Sequence, residues 1–210
     1  MVGNIESRAD ALLGSARNGN SNALGALFSL YQNYIKLLAA TQIRPQLRLR
    51  ASPSDVVQDT FLHAHRGFGE FRGTSAGEFV AWLRAILSRR LQYVYQQHLD
   101  AKRRDVRREV SFEAIANRLD QSTVRLENVL VDSARKPDSV VDGRERAVVI
   151  ADALAELPND YGRVLVLRCI DGLPFAEVAE QMNRSPGAAR MLWLRAVESL
   201  RDKLRVKGQL

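Results

Sequence analysis

The chain has 210 residues, enough for one or two domains of ordinary size. It is 46% hydrophobic and 26% charged, so it can bury real cores and is not a disordered tail. Lysine and arginine number 31 against 24 acidic residues, a formal charge of +7 that calls for a polyanionic partner: nucleic acid, an anionic membrane or an acidic protein face.

The single cysteine, Cys169, excludes an internal disulfide and a cysteine-rich zinc site. No signal peptide is visible, and no run approaches the roughly 18 apolar residues of a membrane span, so a cytoplasmic protein is expected.

Helical spacing prevails over alternation, and the expected fold class is all-α: two small helical domains joined by a long, partly helical linker. Ser21 to Ala40 reads as a helix with Leu24, Leu27, Phe28, Tyr31, Ile35 and Leu38 apolar. Ser52-Pro53 gives a cap followed by proline at the first helical position. The helix that follows, over about 53–66, sets Val57, Phe61 and Ala64 on one face. Phe68 to Ser75, with Gly69 and Gly73, reads as a loop, and a long helix from Ala76 to His98 carries Phe79, Trp82, Leu83, Ile86 and Leu87. Residues 1–100 are thus expected to form the first domain.

Residues 101–147 hold 11 basic and 9 acidic groups, with a break at Lys136-Pro137-Asp138-Ser139. Phe112, Ile115, Leu119 and Val124 suggest helical pieces there, including an extra helix over 113–130, but no core of its own, so this stretch reads as the linker. The second domain is expected over 148–210. Ala147, Ala151, Leu154 and Leu157 keep helical spacing up to Pro158. Asp160 to Ile170 makes the next helix, closed by Asp171-Gly172, and helices over 175–182 and 186–204 follow.

The last two helices read as a helix-turn-helix. Phe175, Val178, Ala179 and Met182 share a face. Asn183 tolerates a left-handed turn, Ser185 caps, and Pro186 starts the next helix. Ala189, Leu192, Trp193, Ala196 and Leu200 turn inward, leaving Arg190, Met191, Leu194 and Arg195 outward. Residues 148–183 carry 2 basic and 6 acidic groups, whereas 184–210 carry 7 basic and 2 acidic, which suits a basic recognition helix on an acidic scaffold. The blander reading is a four-helix bundle with a solvated basic face, and turn, cap and charge together outweigh it.

Two blocks carry a resemblance. Ala153-Leu-Ala-Glu-Leu-Pro, Val164-Leu-Val-Leu-Arg, Asp171-Gly-Leu-Pro-Phe-Ala-Glu-Val-Ala and Ser185-Pro-Gly-Ala-Ala-Arg resemble region 4 of bacterial sigma factors. Ser54-Asp-Val-Val-Gln-Asp-Thr-Phe-Leu, Phe71-Arg-Gly-Thr-Ser and Ala81-Trp-Leu-Arg-Ala-Ile resemble region 2. Both blocks in this order are similar to the extracytoplasmic-function (ECF) group of the sigma-70 family, over roughly residues 20–100 and 145–205.

The resemblance implies a promoter-specificity subunit and not an enzyme, with no catalytic residue, no cofactor and no metal. Its implied partners are core RNA polymerase, through the β′ clamp helices and β flap, and promoter DNA. In many members an anti-sigma factor or other inhibitor is a further partner, and no membrane insertion is implied. Asp55, Gln58, Asp59 and Leu62 match the polymerase-binding helix. Phe71, Arg72, Gly73, Thr74 and Ser75 match the loop that captures a flipped −10 base, with Arg84, Arg89 and Arg90 along the displaced strand. Ser185, Arg190, Met191, Leu194 and Arg195 fall on the −35-reading helix. The recognition helix departs from the family in having Ala188, Met191, Leu192 and Val197 where Thr, Ser or Arg are common, so more of the polar contact must fall on Arg190 and Arg195. The linker is also longer than is usual in the group.

Other features read blandly. Core packing outweighs base stacking for Trp82 and Trp193, while Phe71 is balanced between packing under its loop and facing a nucleotide. His63 and His65, two apart on a helix, diverge and have no third ligand nearby in sequence. Cys169 reads as a buried structural thiol. The run Lys102-Arg103-Arg104 with Arg107-Arg108 extends a basic band over 84–108 that suits phosphate or polymerase contact. The rival function is a conventional helix-turn-helix regulator that binds duplex DNA without being a polymerase subunit. A small hydrolase using Cys169 or the histidines is weaker still.

Overall fold

The computed structural model describes residues 5–43, 52–100, 111–129 and 140–206. They fall into two compact units divided between Gln121 and Ser122. Among the described residues all regular structure is helical. Lys102 to Arg108 and the Lys136-Pro137 break lie outside the described residues.

The first unit contains α1 (Ile5–Arg17), α2 (Ser21–Gln42), α3 (Pro53–Gly67), α4 (Ala76–Asp100) and α5 (Phe112–Glu127) as far as Gln121. Helix α1 is an addition to the expected elements. Ala9, Leu13 and Ala16 form its buried stripe, and two of the three are alanines, so the apolar signal in sequence is faint. It packs on α2 and α4. Asn20 caps α2 by accepting from the Ala23 amide at 3.2 Å.

Helix α3 starts as Ser52-Pro53 implies, the serine hydroxyl accepting from the Asp55 amide at 3.1 Å. Its buried face differs from the expected one: Val56, Val57, Thr60 and Ala64 are inside. Thr60 is tolerated there because its hydroxyl donates to the Val56 carbonyl at 2.7 Å. Phe61 is only half-buried and packs at a tilt against Phe28, ring centres 5.3 Å apart. Phe79 of α4 is fully buried at the centre of this core, within ring contact of Phe28, Tyr31, Phe68, Phe71 and Trp82. Truncating so enclosed an aromatic costs about 3–5 kcal/mol.

Helix α5 falls within the stretch read as linker. Ile115 and Leu119 are buried, although no core was expected of this stretch, and Val124 is 53% exposed. The 3.6-residue period carries the buried face from Leu119 through Thr123 to Leu126 and leaves Val124 off it.

The second unit holds the rest of α5, then α6 (Val140–Ala155), α7 (Asn159–Leu165), α8 (Phe175–Gln181) and α9 (Pro186–Val206). The helix expected over 160–170 is α-helical only to Leu165. Residues 166–170 widen into a π turn, with the Asp171 amide donating to the Val166 carbonyl at 2.9 Å. Two arginines satisfy carbonyls this turn leaves open: Arg125 donates to Ile170 at 2.8 Å and Arg168 to Leu173 at 3.0 Å. Gly172 takes the left-handed conformation at φ 74°, which closes the turn.

Candidate nucleic-acid interface

Helices α8 and α9 form the expected helix-turn-helix. Asn183 has φ 53°, the left-handed conformation anticipated for it. The Arg184 amide reaches back to the Ala179 carbonyl at 2.9 Å and the Asn183 amide to Glu180 at 3.2 Å, the paired bonds of a Schellman stop. Ser185 then caps α9, its hydroxyl accepting from the Ala188 amide at 3.2 Å. Ala179 is 2% exposed and Ala189 is fully buried, small residues where two helices approach. Helix α7 braces the turn from outside: Asp160 pairs with Arg184 at 2.7 Å, and Arg163 donates to the Gln181 carbonyl.

Ala189, Ala196, Leu200 and Leu204 anchor α9 inward. Trp193 is half-buried, edge-on to Phe175 at 5.8 Å, and its indole donates to the Cys169 sulfur at 3.4 Å. Burial pushes the Cys169 thiol up, against the smaller opposing effects of Trp193 and Arg168, so the thiolate is disfavoured. Arg190, Met191, Leu194 and Arg195 all face solvent, with Met191 51% and Leu194 46% exposed.

In the first unit the loop before α4 is built around Glu78. One carboxylate oxygen of Glu78 accepts from the amides of Thr74 and Ser75, at 2.7 and 3.1 Å, and from both their hydroxyls at 3.2 Å. Ser75 returns a bond by accepting from the Glu78 amide at 3.2 Å, completing a capping box. These four donors hold the Glu78 carboxyl below the usual carboxylate range, the Thr74 amide contributing most. Asp10 of α1 completes the cap by accepting from the Ala76 amide at 2.6 Å. The Ser75-x-x-Glu78 spacing was the sequence signal for this arrangement.

Phe71 is half-buried, its ring 4.8 Å from Trp82 and 5.7 Å from Phe79. Gly73 must lack a side chain, since a Cβ there would sit 2.3 Å from the Phe71 ring and 2.9 Å from Glu78 Cβ. Arg72, by contrast, is 82% exposed.

On α3, Asp55, Gln58, Asp59 and Leu62 line one face at i, i+3, i+4 and i+7, and Leu62 is 46% exposed. The arginines of α4 are not equivalent. Arg84 is ion-paired with Asp120, Arg90 is ion-paired with Asp59, and Arg89 is exposed. Of the three arginines expected along the displaced strand, Arg84 and Arg90 thus also have acidic partners within the protein. His63 joins the Asp59–Arg90 pair, while His65 is exposed. Among the described residues no group of three candidate ligands is placed to hold a metal. No described helix is long and apolar enough to cross a membrane.

Comparison with known proteins adds two findings. Residues 147–200, from within α6 through α7 and α8 to most of α9, match the family model for sigma-70, region 4. The chain is also 28% identical over 195 residues to an ECF RNA polymerase sigma-E factor of Haemophilus influenzae, covering 92% of this chain and 94% of that one. It is 26% identical over 198 residues to the proteins of the same name from Escherichia coli strain K12 and Salmonella typhimurium strain 14028s, covering 92% of each chain.

Proposed function

We propose that the chain, similar to ECF sigma factors over nearly its whole length, is itself a sigma factor of that group, which binds core RNA polymerase and directs initiation by recognising −10 and −35 promoter elements. The observation that carries this reading is the capped, Schellman-closed helix-turn-helix, whose second helix turns Arg190, Met191, Leu194 and Arg195 to solvent. A helix held this way fits a major groove, with cations placed for phosphates or guanine edges.

In this reading α3 docks on the polymerase β′ clamp helices through Asp55, Gln58, Asp59 and Leu62, and the second unit meets the β flap. The loop 71–75 receives a flipped −10 base. Because Thr74 and Ser75 spend their donors on Glu78 and Phe71 is packed, Arg72 and the exposed Arg89 supply the cationic contacts there. The loop therefore works as a preformed rim, and unstacking is assisted by shape more than by free hydroxyls. The protein acts as a subunit and not as an enzyme, in the cytoplasm with polymerase. An anti-sigma factor or other inhibitor is a further partner of the kind this family uses.

Gel filtration of the full chain with core polymerase tests the reading against that of a free-standing regulator. A sigma subunit co-elutes with core at one to one, whereas a regulator that binds duplex DNA alone stays in its own peak.

A further inference from the structure

Resting on that reading, we infer that Met191 and Leu194 make α9 a reader of thymine methyl groups, so that the −35 element of this protein is specified in part by thymine 5-methyls. Successive residues of an α-helix turn by about 100°, which puts Leu194 and Met191 about 60° apart, with Arg190 and Arg195 on either side of them. The outward face of α9 is thus an apolar centre between two guanidinium groups. Met191 and Leu194 are two of the few large apolar side chains the described residues expose, at 51% and 46%.

The first turn of α9 itself adds little polar chemistry: the Ser185 hydroxyl accepts from the Ala188 amide, and Pro186, Gly187 and Ala188 carry no hydrogen-bonding side chain. Around Gly187 a Cβ would meet nothing within 4 Å, so the first turn presents open space for a close approach. In the major groove the T·A pair is the one that displays a methyl group, and apolar side chains recognise it. The flanking arginines select DNA as the occupant of this patch, since phosphates rise on both sides of a groove floor.

The experiment uses full chain with core polymerase. Selection from promoter templates randomised over the −35 region gives the preferred element. Each −35 thymine in the selected template is then replaced singly by deoxyuridine, which removes only the methyl. Binding of the holoenzyme is expected to weaken about threefold to tenfold at one or two of these positions. That loss should disappear in Met191→Ala and Leu194→Ala, which are exposed positions whose replacement leaves the fold intact.

If scrambling the −35 region weakens binding while every deoxyuridine is silent, or if both variants keep the full deoxyuridine penalty, the inference is overturned and the sigma reading stands. A selection that enriches no thymine in the −35 region overturns it likewise. If scrambling the −35 region has no effect, the reading of α9 as a −35 helix fails and the inference falls with it.

Discussion

Arg90 of α4 holds Asp59 of α3 at 3.0 Å, with the arginine side chain 19% exposed and the aspartate 44%. The same guanidinium lies 2.7 Å from His63 Nε2 and 4.9 Å above the Tyr93 ring. One residue of the face read as polymerase-binding is therefore tied to one read as DNA-facing, through a pair separated by 31 residues in sequence.

A double-mutant cycle on this pair measures the tie. Asp59→Ala and Arg90→Ala are each expected to lower the unfolding free energy by about 1 kcal/mol in urea titrations, because the pair is only partly shielded from water. The double variant should lose less than the two together, by about 0.5–1 kcal/mol of coupling. Strict additivity would show that the contact contributes no stability.

Glu78 gives a prediction with a pH signature. Its folded-state pKa is lowered, by the Thr74 and Ser75 amides first. The stability it contributes is therefore fully present above the unfolded value of about 4.3 and is lost as pH falls through the lower folded value. The stability gap between wild type and Glu78→Gln is expected to be constant from pH 7 to about pH 5 and to shrink below about pH 4. A gap independent of pH down to 3 would contradict the capping role.

Gly73→Ala tests the packing of the loop. The new Cβ would press on the Phe71 ring, which already packs against Trp82, and on Glu78 Cβ. A destabilisation of about 1–3 kcal/mol is expected, together with loss of promoter melting as read by permanganate reactivity of −10 thymines. Normal melting with normal stability would mean the loop relaxes freely.

At the helix-turn-helix turn, Asn183→Ala is expected to cost about 1 kcal/mol, and Asn183→Gly at most a few tenths, because the position has positive φ. Thermal denaturation of the two variants makes the comparison, and equal losses would argue against a strained backbone at this position.

How much of this could be read from sequence depends on the range of the interactions. The helix-turn-helix was legible because its determinants are local: the Asn183 turn, the Ser185-Pro186 start and the apolar spacing all lie within a few residues of what they shape. The outward set Asp55, Gln58, Asp59 and Leu62 was legible for the same reason. Long-range pairings were not. Arg84 pairs with Asp120, 36 residues away, and Arg90 with Asp59, and neither partner is marked by spacing. Helix α1 was hidden by its alanine-rich stripe, although its Asp10 reaches 66 residues to cap α4. The π turn at 166–170 leaves no trace in the apolar pattern either, because Leu167 and Ile170 stay buried across it.

Run-off transcription with core polymerase on a selected promoter template tests the central claim most directly. The protein should produce a discrete promoter-dependent transcript that core alone does not make. Arg195→Ala should weaken that transcript while co-eluting normally with core, and Asp55→Ala combined with Gln58→Ala should weaken it through lost core affinity. Failure of the wild-type protein to yield any promoter-dependent transcript, with a polymerase that responds to another sigma factor in the same assay, would contradict the account.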